Sequence, residues 1–252
     1  MATIASQVIF HPAVSHSLKY GGTTLGRDKA YRALQYFARF YAWYLLTKGN
    51  KEEASRWANL KTHLGTARKL MRLGKPIEHL QAALKASLVS GPLAEIITTV
   101  ARQIGYFGYL SSDALVWANS IKFIKLDSQT AQRLAKRSFQ LWFTGIIFSI
   151  INSVLKASRT VRLNREERSL QASATWGEKD LGEEAARETK LSAIAAARAT
   201  TRQQFIIDLC DVWIPATGSG LLNVNEGALG ILGLISSLLG VKAQWLAVNG
   251  KK

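Results

Sequence analysis

Asp208 and Asp211 stand three residues apart in the otherwise apolar stretch 205–211, so on a helix both carboxylates project from one side. Paired carboxylates can do acid–base work, but no nucleophile or convergent polar cluster accompanies this pair. Partnership with an arginine such as Arg202, or a wet interface, is the expectation. Arg102 and Asp113, set in apolar surroundings, are candidates for an internal ion pair, because charges at membrane depth are costly and are usually paired or functional. The run 21–28 has the spacing of a phosphate-binding loop. It carries Arg27 where that loop needs Lys and Asp28 where it needs a hydroxyl, and a carboxylate there would repel phosphate. His11, His16, His63 and His79 lack zinc-ligand spacing, and Cys210, the single cysteine, can complete neither a thiolate site nor an intrachain disulfide. No catalytic, cofactor-binding or metal-ligating set is expected, and the chain does not read as an enzyme.

Charge gives a stronger signal than motif. The 252 residues hold 33 Lys and Arg against 17 Asp and Glu, a net charge of +16, so an anionic partner is expected, either nucleic acid or anionic lipid. Because 48% of the residues are also hydrophobic, polar and apolar residues must be segregated into runs and faces. That segregation favours membrane lipid over nucleic acid.

Four prolines and almost no period-2 alternation of β-branched residues predict an all-α chain: a membrane-associated helical bundle with amphipathic N-terminal helices and one or two transmembrane helices. Residues 1–90 form a basic amphipathic region. Residues 27–46 carry Tyr31, Tyr36, Phe37, Phe40, Tyr41, Trp43 and Tyr44 beside Arg32, Gln35 and Arg39, which suits either a core helix or an interfacial one. Residues 60–88 read as an amphipathic helix bent at Pro76. Its basic side, with Lys61, Arg68, Lys69, Arg72 and Lys75, is placed toward lipid headgroups; its apolar stripe, with Leu64, Leu70, Met71, Ile77, Leu80 and Leu84, is placed for membrane insertion. A bundle helix with a solvated basic face is the alternative.

Residues 91–158 hold apolar helices. The uncharged run 138–155 is about long enough to span a bilayer, with bases at both ends to anchor it. Residues 159–204 read as a charged linker or solvated loop with some helix around 183–202. Residues 205–252 form C-terminal apolar helices with a second membrane candidate at 227–245. Gly105, Gly108, Gly227, Gly230 and Gly233 would let helices approach closely, and such faces suggest self-association as a homo-oligomer.

Several short segments then occur together and in order: 11–16 (HPAVSH), 26–29 (GRDK), 34–40 (LQYFARF), 68–76 (RKLMRLGKP), 103–109 (QIGYFGY), 208–211 (DLCD) and 214–218 (IPATG). The ordered set resembles the fungal peroxisome-proliferation peroxin family, the eleventh peroxin, over nearly the whole chain. The resemblance implies a peroxisomal membrane protein that inserts amphipathic helices into anionic lipid, elongates the membrane and engages the fission machinery, a dynamin-related GTPase and its adaptor. No cofactor is expected, and no nucleic acid, which would explain the charge but not the uncharged run 138–155. A pore or channel for small metabolites is the alternative. The ending Asn249-Gly250-Lys251-Lys252 does not match the Ser-Lys-Leu matrix address, so arrival as a membrane protein is expected.

Overall fold

The computed structural model describes residues 2–173 and 181–250, and every regular element among them is an α-helix. In chain order these are α1 (Ala2–Ile9), α2 (Pro12–Gly21), α3 (Thr24–Thr47), α4 (Lys51–Leu70), α5 (Lys75–Leu88), α6 (Leu93–Ser120), α7 (Ser128–Ser173), α8 (Leu181–Asp211), α9 (Trp213–Gly218) and α10 (Glu226–Asn249). Side-chain caps start the longer ones. Thr23 accepts from the Gly26 N–H at 3.0 Å, Asn50 from Glu53 at 3.2 Å, Asp127 from Thr130 at 2.9 Å and Asn225 from Ala228 at 2.8 Å. Each satisfies a donor that the helix cannot, worth about 1 kcal/mol. The Thr130 hydrogen bonds also hold the Asp127 carboxyl below its ordinary value.

Helix breaks follow local chemistry. Gly49, at φ 82°, turns the chain between α3 and α4. The long amphipathic segment expected over 60–88 is divided: α4 stops at Leu70, residues 71–74 turn, and Pro76 sits in the first turn of α5, where its missing N–H is harmless. Pro92 precedes α6. After α6, Lys122 takes a left-handed conformation, φ 63°, while Phe123 N–H bonds back to the Ala118 carbonyl. A non-glycine residue there is strained by about 1 kcal/mol or somewhat more. Lys122→Gly is therefore expected to raise stability by about 1 kcal/mol or less, the strain relieved being partly offset by the greater freedom of glycine in the unfolded chain. Thermal unfolding in detergent reads it, and an unchanged or lower Tm would show that the turn holds no such strain.

The helices close a ring. α3 packs on α4, α4 on α6, α6 on α7, α7 on α8, α8 on α10 and α10 back on α3, with α5 laid against α6 and α2 against the α3–α10 pair. Glycines set the two tightest seams. A Cβ on Gly105 would meet the backbone of Gly145 across the α6–α7 seam at 2.8 Å, and Gly108 abuts Leu141. Gly227, Gly230 and Gly233 present successive gaps to Trp43, Phe40 and Tyr36 of α3. These faces are filled from within the chain, so they do not supply the self-association surface expected from sequence.

Among the described residues, two helices are long and apolar enough to cross a membrane, residues Ser128–Glu166 of α7 and Glu226–Asn249. Only 33% and 22% of their most apolar windows are buried, so neither behaves as the hidden core helix of a globular domain. At 1.5 Å per residue α7 runs to about 69 Å, well beyond a hydrocarbon core of about 30 Å. The stretch 159–204, expected as a linker or loop with some helix around 183–202, is helical over 159–173 and 181–204, within α7 and α8.

Candidate functional site

Polarity in the ring is inverted. Among the described residues, sixteen polar or charged residues are buried against twelve apolar ones, three of the latter being tyrosines. Meanwhile Leu70, Ile77, Leu84, Ile97, Val154 and Leu238 are each more than half exposed. A water-soluble fold hides apolar groups and almost never buries Asp or Arg unless paired. An apolar perimeter around a polar interior is the arrangement suited to a hydrocarbon surround, which has no partner to offer a charge.

The interior is a cavity of about 850 Å³ lined from α3, α4, α5, α6, α7 and α8. Its walls are ion pairs. Arg32 donates to Asp211 at 2.7 Å, with both side chains about nine-tenths buried, and the Ser236 hydroxyl donates to the same oxygen. Arg68 joins α4 to α3, donating to Asp28 at 2.9 Å and to Gln35 at 2.6 Å. Asp113 accepts from Lys69 at 2.8 Å and from Arg72 at 2.9 Å, and Arg72 also donates to the Tyr109 hydroxyl at 3.1 Å. Asp208 accepts from Ser149 and, at 2.8 Å, from Gln204. Away from the cavity lining, Glu95 accepts from Arg159 at 2.7 Å, while Asn152 donates to the Glu95 carbonyl and to Thr98. These pairs tie helices distant in sequence, and in a low-dielectric surround each leaves a costly orphan if one partner is lost.

The structure redirects most of the residues singled out from sequence. Arg68, expected at lipid headgroups, is buried; Lys69, Arg72 and Lys75 turn to Asp113 and Glu78, and Lys61 sits 3.4 Å from Glu226. Asp28 and Asp113, distant in sequence, draw Arg68, Lys69 and Arg72 inward, whereas Lys75 meets Glu78 only three residues on, at the surface. The apolar residues take the outside: Leu70, Ile77, Leu80 and Leu84 are exposed, while Leu64 and Met71 are half-buried at the α4 edge. Arg102 and Asp113, candidates for one ion pair, take different partners, since Arg102 stands 5.6 Å from the Tyr106 ring centroid. Arg202 does not meet Asp208 or Asp211; it lines a second hollow between α7 and α8. Arg32, the partner Asp211 finds, lies 179 residues away, and only its place on a polar side of α3 hinted at a role. Among the described residues, no group of three or more His, Cys, Asp or Glu side chains is placed to hold a metal ion.

At the ring's edge, Arg39 makes two hydrogen bonds to Glu226, whose side chain is 49% exposed. Solvent competes for such a pair, which is worth about 0–1 kcal/mol. Glu226→Gln is accordingly expected to shift Tm little, and a drop as large as that from losing a buried pair would show that water does not reach this edge.

Comparison with known proteins decides the family. The profile of the family described as Peroxisomal biogenesis factor 11 (PEX11) matches residues 14–245. The chain belongs to the PEX11 family. Similar proteins extend beyond fungi. The peroxisomal membrane protein PMP27 of Saccharomyces cerevisiae is 26% identical, covering 97% of this chain and 99% of the relative. The peroxisomal membrane protein 11 homolog of Dictyostelium discoideum is 27% identical over the same shares, 97% and 99%. Human peroxisomal membrane protein 11B is 24% identical, covering 89% of this chain and 94% of its own. No solved structure matches. This PEX11 protein is thus a peroxisomal membrane protein of peroxisome biogenesis, and the inverted polarity of its ring is the physical counterpart of that location.

Proposed function

We propose that this PEX11 chain drives peroxisome proliferation without catalysis, by adding protein volume unequally to the two leaflets. The observation that carries this reading is the outward apolar face of α5. Ile77, Leu84 and Leu88 are 60%, 63% and 77% exposed on a helix of 14 residues. At about 21 Å that helix is too short to cross the hydrocarbon core of about 30 Å, whereas α7 and α10 are long enough. A ring that carries an extra helix at one depth is wider there, and a wider section on one side favours curvature. The headgroup contacts fall on other bases than those first expected. Lys122, Lys125, Arg133, Lys136 and Arg137 are exposed just ahead of the apolar run 138–155, beside Phe123 at 81% exposure. Bases next to an aromatic anchor suit an anionic lipid surface, each contributing about 1 kcal/mol. Assembly into homo-oligomers and engagement of a dynamin-related GTPase and its adaptor belong to the same reading, as the steps that would concentrate curvature and sever the membrane.

Proteoliposomes containing anionic lipid test it. With Ile77, Leu84 and Leu88 all changed to Gln, the protein is expected to stay in the membrane through alkaline extraction, held by α7 and α10, yet to lose most tubulation seen by electron microscopy. Undiminished tubulation would sink the α5 assignment.

The polar cavity favours a second reading, passage of small metabolites through the ring, since charged groups facing one another across a membrane-embedded lumen are what a solute path requires. Planar-bilayer recording decides this one. Conductance altered by Arg102→Glu or Asp113→Asn supports it, and silence from protein shown to be folded sets it aside.

A further inference from the structure

Eight cationic side chains line the ring cavity, facing the carboxylates of Asp28, Glu78, Asp113, Asp208 and Asp211. Six of the eight are partnered, four of them in the pairs already described on Asp28, Asp113 and Asp211, Arg39 on Glu226 and Lys75 on Glu78. Lys29 and Arg102 make no ion pair among the described residues. Arg102 is the more exacting of the two. Its Nε–H is buried and has no acceptor, and its guanidinium stands over the Tyr106 ring, which fixes the plane but offers no lone pair. Among the described residues, Asp208 is the one lining carboxylate in no direct ion pair; Arg102 lies close enough to act on its charge, but its oxygens take their hydrogen bonds from Ser149 and Gln204 rather than from the guanidinium. The wall therefore holds an oriented fork of donors whose acceptor the chain itself does not supply. A buried donor left unmet is costly, and a guanidinium plane is shaped for the two oxygens of a carboxylate or phosphate.

We infer that the cavity is a binding site for a small oxyanion, a phosphate or carboxylate group gripped by Arg102, with Lys29 adding charge. Its volume of about 850 Å³ lies within the range of about 300–1,000 Å³ typical of small-molecule sites. Either a soluble phosphate ester or an anionic lipid headgroup has this chemistry. The inference rests on the chain being a membrane-embedded ring; it requires neither curvature nor conduction, so the site can fail while both of those readings stand.

The test uses the full-length protein in detergent micelles, with thermal unfolding followed by tryptophan fluorescence and ionic strength held constant with sodium chloride. Inorganic phosphate is expected to raise Tm saturably where chloride does not. In Arg102→Gln the half-saturating phosphate concentration should rise about tenfold or more, the order set by loss of one charge-assisted hydrogen bond. Arg102→Lys should restore part of the response. Should Arg102→Gln prove unstable without anion, Lys29→Met carries the test, because it leaves the Arg102–Tyr106 contact in place; it is expected to weaken phosphate severalfold. Nanodiscs with and without phosphatidic acid separate the sources. If the acidic lipid raises Tm and abolishes the phosphate response, the oxyanion is a headgroup; if phosphate still saturates, it is soluble. An equal rise in chloride, or a phosphate response unchanged in both Arg102→Gln and Lys29→Met, overturns the site.

Discussion

Asp211→Ala is expected to be among the most destabilising single substitutions in the chain, lowering stability by about 3–5 kcal/mol, because it strands the buried Arg32 guanidinium inside the ring. The Ser236 hydroxyl loses its acceptor at the same time, although Ser236 also donates to the Gly233 carbonyl at 3.1 Å and so keeps one bond. Asp211→Asn should cost less, since an amide oxygen of the same size still accepts from Arg32. Adding Arg32→Met to Asp211→Ala removes the orphan charge and is expected to recover much of the loss. Unfolding of the unaltered protein, Asp211→Ala, Arg32→Met and the double variant in one detergent gives the double-mutant cycle. If the losses of the two single variants simply add, the pair is not the source of the effect.

Gly230→Ala is the second substitution with a large expected effect. The added methyl would lie 2.6 Å from the Phe40 backbone nitrogen, and a helix backbone cannot step aside as a side chain can. α10 must move off α3 along the seam that also holds Arg39 to Glu226 and Tyr36 to Gly233. Overpacking of this kind costs about 1–3 kcal/mol, and the backbone clash puts Gly230 at the upper end. Two comparisons make the expectation specific. Gly108→Ala meets the ends of Leu141 at 3.1 Å, which can rotate, so its cost should be smaller. Gly74→Ala meets nothing within 4 Å at a residue with φ −79° and should be neutral or slightly stabilising. The expected order of Tm is Gly74→Ala, then Gly108→Ala, then Gly230→Ala. Equal effects at all three would mean that helix propensity rather than the seam dominates.

The inward turn of the basic face changes what one obvious experiment means. Reversing Arg68, Lys69, Arg72 and Lys75 together to Glu, the substitution that a headgroup role for these bases invites, would set three acids against Asp28 and Asp113 inside the ring and a fourth beside the exposed Glu78. Such a protein is expected to unfold. The exposed bases from Lys122 to Arg137 and the outward leucines of α5 are the places where lipid contact can be altered without dismantling the interior.

Sequence alone determined the all-helical class, because helical periodicity, scarce proline and the uncharged run 138–155 are local properties of the chain. It also determined that the segment 60–88 is interrupted, although the break falls at 71–74, just ahead of Pro76, and it determined the membrane candidate at 227–245, the close-packing character of Gly105, Gly108, Gly227, Gly230 and Gly233, and the family, which an ordered set of short segments carries. Which way an amphipathic helix faces was not legible. In water the basic side of α4 would turn out; in an apolar surround it turns in, and the pattern of residues is the same in both cases. Only the tertiary structure decided that orientation, by bringing Asp28, Asp113 and Asp211 to the bases that need them across 40, 41 and 179 residues of chain. The same closure left Arg102 without an acceptor, because an unmet donor is a property of everything that surrounds a side chain and of nothing beside it in sequence.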